Sequence, residues 1–311
     1  VNLLSAPLIL IGVLTFAPGL IWLERKLLAL WQDRYGPNRV GPFGSLQVIA
    51  DALKMFFKED WIPPFADRAL FVLAPSIIMA TTLLGFALIP VAPGIVVLDS
   101  SVGVLVFLAI SSLGAYSIVL AGWASNNKYS LIGALRGAAQ MLSYEVFMGL
   151  AVMGVVIKTG SLRLTDIVMA QENFWNIIPQ CVGFVVFFIA ALAETHRLPF
   201  DLPEAESELV AGFHSEYSGL KFGMFFVGEY IGILLMSAFM TVLFLGGWHG
   251  PVLPPVLWFV IKTLLLVSLF ILIRSALPRP RYDQLLSFGW TCLLPLSLIN
   301  LMASAVFVVL S

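Results

Sequence analysis

Eight apolar runs follow one another along the chain, over about 3–23, 69–91, 102–122, 137–157, 176–194, 222–247, 255–277 and 285–310. A bilayer core needs about 20 residues of helix to cross, and each run is bounded by charge, by Gly/Pro clusters or by both. A closed barrel would show short alternating segments instead, and backbone in lipid must pair its own polar groups. The pattern therefore predicts an all-α, polytopic membrane protein, one membrane domain over 1–311 with eight transmembrane helices. A shorter stretch, about 45–58, has a different period. Gln47, Asp51, Lys54 and Lys58 share one helical face, while Leu46, Ile49, Leu53 and Phe56 share another. Such a segment is expected to lie as an amphipathic helix in the membrane interface.

Composition agrees. Of 311 residues, 60% are apolar and 11% are charged, whereas a soluble domain carries roughly a quarter charged residues. With a net charge of -1 there is no basic face for nucleic acid. The basic residues divide unevenly. Arg25, Lys26, Arg34, Arg39, Lys54, Lys58, Arg68, Lys128, Arg136, Arg197, Lys221, Arg274, Arg279 and Arg281 belong to the connections after the odd-numbered spans, against Lys158 and Arg163 on the other side. The positive-inside rule then puts the odd connections in the cytoplasm or matrix and both termini outside. No basic region precedes the first apolar run, so no cleavable signal is expected. Cys181 and Cys292 lie in apolar runs without iron–sulfur spacing. The histidines, His196, His214 and His249, sit in or beside loops rather than facing each other across a helix pair. Neither a metal site nor a flavin, haem or iron–sulfur cluster is expected in this chain.

Candidate chemistry begins with charges placed inside spans, where each is costly and a functional candidate. These are Glu145 in the fourth span, Glu229 in the sixth and Lys262 in the seventh; the bland alternative is a partner that serves packing alone. A second feature is the connection over about 194–221. Glu194, Asp201, Glu204, Glu206, Glu208 and Glu216 stand there against one base between Glu194 and Glu216, Arg197. Crowded carboxylates cannot all ionise cheaply, so their proton affinities rise and couple, which suits proton transfer; a solvated acidic loop is the alternative. The third feature is a basic-aromatic zone formed by Arg25, Arg34, Asp51, Lys54, Phe56, Phe57 and Arg274. It suits an amphipathic lipid such as a quinone, or simply lipid phosphates.

Several stretches together resemble one family. They include Glu24-Arg25-Lys26, the run Arg34-Tyr35-Gly36-Pro37-Asn38-Arg39-Val40-Gly41-Pro42, Gly122-Trp123-Ala124-Ser125-Asn126-Asn127-Lys128, Ser143-Tyr144-Glu145-Val146, Ala193-Glu194-Thr195-His196-Arg197-Leu198-Pro199-Phe200-Asp201-Leu202-Pro203-Glu204, and Arg279-Pro280-Arg281-Tyr282-Asp283-Gln284. The likeness is to the H-type membrane subunits of proton-pumping NADH:quinone oxidoreductase, respiratory complex I, whose mitochondrial counterpart is NADH dehydrogenase subunit 1. It covers nearly the whole chain.

The resemblance implies a bacterial inner-membrane protein at the heel of the membrane arm. Implied partners are peripheral-arm subunits carrying the terminal iron–sulfur cluster and the quinone head-group site, together with small and antiporter-like membrane subunits. A ubiquinone-type quinone is the implied substrate. Arg25, Arg34, Asp51, Lys54, Phe222 and Arg274 are implied in the quinone tunnel. Glu145, Glu194, Glu204, Glu206 and Glu229 are implied in a proton route, flanked by Glu208, Glu216, Asp201 and Arg197. One departure is His196, where many relatives have Asn; a histidine titrating near neutrality would alter the local proton affinity. Rival readings are the related component of an energy-converting hydrogenase or formate hydrogenlyase, a stand-alone transporter, and a passive anchor. The long match through Glu194–Glu208 favours the first-named family, the lack of visible repeats counts against the transporter, and the glutamates inside spans count against the anchor.

Overall fold

The computed structural model describes residues 5–310, the side chains of Glu206 and Ser207 excepted. Its helices are α1 (Ser5–Trp31), α2 (Gln47–Phe57), α3 (Arg68–Phe86), α4 (Gly103–Ala124), α5 (Lys128–Thr159), α6 (Leu164–Met169), α7 (Cys181–Glu194), α8 (Glu206–Leu209), α9 (Gly219–Phe244), α10 (Pro255–Ala276) and α11 (Tyr282–Leu310). The last contains a π-helical turn over Gly289–Leu293. Among the described residues there are no strands, only an isolated bridge between Ala92 and Ile95. Among the described residues seven helices are long and apolar enough to cross a membrane, and α7 is a shorter apolar one. The protein is thus a polytopic all-α membrane protein.

Helix starts follow the expected capping chemistry. Asp67 caps α3 by accepting from the Ala69 and Leu70 amides, and Asn127 caps α5 by accepting from Tyr129. Pro255 opens α10, where a missing N–H costs nothing. Several helices differ from the hydropathy reading: α1 runs on to Trp31 rather than ending near 23, and α3 ends at Phe86 rather than near 91. Helix α5 begins at Lys128 rather than near 137 and runs for 32 residues, so Glu145 lies near its middle. Helix α7 begins at Cys181 rather than near 176 and has 14 residues, about 21 Å of rise. Its shortness has a polar cause. The side chain of Asn176 donates to the Leu243 carbonyl, and that of Gln180 bonds Ser304 and accepts from Asn300. These ties hold the segment before α7 in non-helical form against α9 and α11.

Helix α9 is the central post, buried along most of its length against α1, α3, α7 and α10. Phe239 stacks on Phe107 of α4 with ring centroids 3.7 Å apart. Gly85 of α3 allows close approach to it, since a β-carbon there would sit 2.6 Å from Leu235. Successive long helices alternate in direction. One end of the bundle gathers the end of α1, α2, and the connections 58–67, 125–127, 195–218 and 277–281, and carries most of the basic residues.

Lys262 illustrates how an intramembrane charge can be structural. Its Nζ donates to the carbonyls of Leu245, Gly247 and His249 at 2.6, 3.1 and 2.6 Å, and lies 4.3 Å from the Trp175 ring centroid. A helix end leaves carbonyls without intrahelical partners, and this ammonium supplies them beyond the end of α9. Lys262→Met is therefore expected to destabilise the fold by on the order of 2–4 kcal/mol through stranded carbonyls, read as a lower thermal midpoint of the purified protein. An unchanged midpoint would remove the capping role.

Candidate functional site

Helix α1 runs past residue 23, the expected end of its span, to Trp31. On its buried face Val13, Ala17, Leu20 and Ile21 are followed, one turn on, by Glu24, which is 3% exposed. Glu24 accepts from Arg274 of α10 and, at 3.5 Å, from Arg197 of the 195–218 connection. The same guanidinium lies 3.9 Å from Glu229 of α9 and 4.3 Å over the Tyr230 ring. Tyr230 lies beside Glu24 as well. Glu229 lies beside Glu204, which also faces His214 at 3.9 Å. Removing one member of such a buried set strands the others at a cost of about 3–5 kcal/mol.

The connection is held in shape by few but specific contacts. Gln140 of α5 donates to the Ala193 and Phe200 carbonyls at 2.7 and 2.8 Å, bracketing the turn that contains Arg197. Arg279 donates to the Asp201 carbonyl at 2.5 Å. Gly212, at φ +57°, passes so near the Pro203 carbonyl oxygen that a β-carbon would lie 1.8 Å from it, a place only glycine can fill. Glu208 and Glu216 are committed at the margin, to Arg136 at 2.6 Å and Asn127 at 2.7 Å. Glu206 has its backbone in α8, and its side chain lies outside what is described.

Two cavities flank this charged set. The smaller, about 60 Å³, is lined mainly by apolar side chains such as Ile78, Ile118, Met141 and Leu235, with Glu194, His196 and Glu229 at its wall. It has room for a few waters beside the carboxyl groups. Beyond it Glu194 lies within electrostatic reach of Glu145, which sits near Ser112 of α4. The larger, about 490 Å³, lies between α1, α2 and α9. It is within the usual range of small-molecule pockets. Val48, Asp51, Ala52 and Met55 of α2, Ile21 and Arg25 of α1, and Phe222, Phe226 and Val227 of α9 contribute to its wall, with Lys54 at its margin. Arg25 and Asp51 pair across it at 2.6 Å. Helix α9 therefore lines the larger cavity through Val227 and the smaller one from Gly228 onward.

Of the six residues expected around a quinone, Arg25, Asp51, Lys54 and Phe222 gather at the larger cavity. Arg274 instead pairs with Glu24, and Arg34 is exposed outside the lining. Among the acidic residues, Glu204 lies beside Glu229, and Glu194 is within electrostatic reach of Glu145. Asp201 and Arg197 stay with the first pair. Sequence reading missed Glu24, Tyr230, Gln140 and His214. Glu24 had a signal: it continues the spacing of Val13, Ala17, Leu20 and Ile21 one turn into a charged cluster.

Outside the spans, electrostatics are set by burial and partners. Burial pushes His196 down to about 4, against an opposing pull from the Glu204 charge, so this histidine does not titrate near neutrality. Burial also works against the Arg197 charge, but Glu229 and Glu24 outweigh it and hold the guanidinium above its ordinary range. The hydrogen bond from Arg136 lowers Glu208. Because the folded value of His196 lies below its ordinary 6.5, its contribution to stability is complete above that value and is lost as pH falls through about 4. His196→Asn should then leave the pH profile of turnover unchanged between about pH 6 and 8, where the ring is already neutral. A displaced profile in a steady-state assay would contradict this.

A family model described as NADH dehydrogenase matches residues 4–305. A curated relative, the H-type subunit of the NADH-quinone oxidoreductase of Methylococcus capsulatus, is 60% identical over 305 residues, covering 96% of both chains.

Proposed function

The chain belongs to the NADH dehydrogenase family, and we propose that it is the H-type membrane subunit of a proton-translocating NADH-quinone oxidoreductase, which it serves by walling a quinone chamber and carrying protons away from it. The observation that supports this best is the adjacency on α9. An amphipathic cavity with a basic-acidic pair at its wall ends one residue before a water-sized chamber that contains two carboxyl groups. The tail of a quinone packs against Ile21, Ala52, Met55 and Phe226, and the Arg25–Asp51 pair meets its polar parts. Electrons come from an iron–sulfur cluster in a peripheral subunit.

When the quinone is reduced, charge develops near Arg25 and is felt by Glu24, Arg197 and Glu229. Arg197 then weakens its hold on Glu229, a proton is redistributed between Glu229 and Glu204, and the chamber passes the change to Glu194 and Glu145. Asp201, Glu206, Glu208 and Glu216 shape the field around this route. Neighbouring membrane subunits receive the change at Glu145 and move protons outward. Each charge moved against the membrane costs about 2.3 kcal/mol per 100 mV, so the steps must be tightly coupled. The basic end of the bundle faces the cytoplasm of a bacterial inner membrane by the positive-inside rule, and both termini face outward. Peripheral-arm subunits dock on that basic end.

Ala52→Trp projects a large side chain into the larger cavity. It is expected to raise KM for quinone about tenfold in membranes, while NADH oxidation by ferricyanide, which bypasses the cavity, is unchanged. Normal quinone kinetics in this variant would remove the quinone assignment.

A further inference from the structure

The larger cavity has an outer wall that is tied to the bundle by few polar contacts. Its outer side is α2, which has no buried residue of its own. Leu46, Ile49, Leu53 and Phe56 are exposed. After α2 the chain runs without regular structure from Lys58 to Asp67. It meets the start of α9 through two polar contacts. The Ser218 hydroxyl donates to the Glu59 carbonyl at 3.4 Å, and the Lys221 ammonium donates to Asp60 at 2.5 Å. Lys221 is 8% exposed, and Asp60 is the wetter partner, its side chain 45% exposed. Lys58, Ser218 and Gly219, next to these contacts, line the cavity itself. Gly219, at φ +57°, brings its backbone within reach of the Lys58 and Glu59 carbonyls, 3.4 and 3.3 Å from where a β-carbon would stand. One turn farther in, Met55 closes on Gly223, with Sδ 3.1 Å from a β-carbon position.

A lysine is rarely buried unless paired, and here the partner comes from the strap that follows α2. On the α1 side the same helix is held by Arg25–Asp51, a pair exposed at 41% and 31% and hence weak. The α9 side therefore fixes the distance between α2 and the bundle, and with it the cavity's width.

Resting on the quinone reading, we infer that Lys221 and Asp60 are a positioning pair that holds the α2 wall at the width required by a long isoprenoid tail, so that they govern recognition of the tail rather than reduction of the head group. Neither residue lines the cavity. Their effect passes through Lys58, Met55 and Gly219, which do. A short-tailed quinone does not depend on the wall in the same way.

The test uses membranes containing the whole enzyme with Lys221→Met, Asp60→Asn, or the exchange Lys221→Asp with Asp60→Lys, assayed with long-tailed and short-tailed ubiquinones. Expected is a rise of about tenfold in KM for the long-tailed substrate, with kcat within twofold and the short-tailed KM nearly unchanged; the exchange restores most of the loss. A fall in kcat for both substrates without tail-length discrimination would overturn the inference, as would no effect from the half-exposed Asp60→Asn, which leaves Lys221 in place. If Ala52→Trp raises the quinone KM while these variants do nothing, only the positioning pair is wrong. If Ala52→Trp is also silent, the quinone reading itself fails.

Discussion

A guanidinium almost out of contact with water, fixed between two carboxyl groups on different helices, is the contact on which the rest of the molecule depends. Arg197 reaches Glu24 on α1 and Glu229 on α9, while Arg274 reaches Glu24 from α10. In an apolar bundle such charges are tolerable only together, because the desolvation cost of each is offset by the others. The set therefore does two jobs. It fixes the end of α1 and the 195–218 connection relative to α9 and α10, and it makes their arrangement depend on local charge.

Two cavities of different size share a wall at this set. The larger is amphipathic, the smaller is lined mainly by apolar side chains around two carboxyl groups, and α9 passes from one to the other between Val227 and Gly228. On the proposed reading, a charge appearing in the first cavity is sensed through Arg25 and Glu24, next to each other on α1, and the neighbouring carboxyl groups of Glu204 and Glu229 supply the element with two states. Coupling of this kind rests on a discrete rearrangement rather than on distance.

The spans were legible in the sequence because hydropathy over about 20 residues is a strong signal, and the acidic loop was legible because six carboxylates stand close together. What the residues alone left open was which charges meet. Glu229 and Lys262 look alike as intramembrane charges, yet one joins a carboxyl pair and the other caps the carbonyls beyond α9. Glu24 was hidden because the apolar run ends at residue 23 while the helix does not. The shortened start of α7 was hidden because Asn176 and Gln180 find partners on α9 and α11, more than 60 residues away. His196 shows the opposite error: its residue type suggests titration near neutrality, and its burial removes it.

The central claim is that the buried charge set couples quinone reduction to proton movement, and inverted membrane vesicles test it most directly. With Glu229→Gln or Glu145→Gln, NADH-driven quinone reduction and acidification of the vesicle interior should fall together by about tenfold or more, with NADH oxidation by ferricyanide retained. Quinone reduction and acidification at the unaltered rate in both variants would contradict the account.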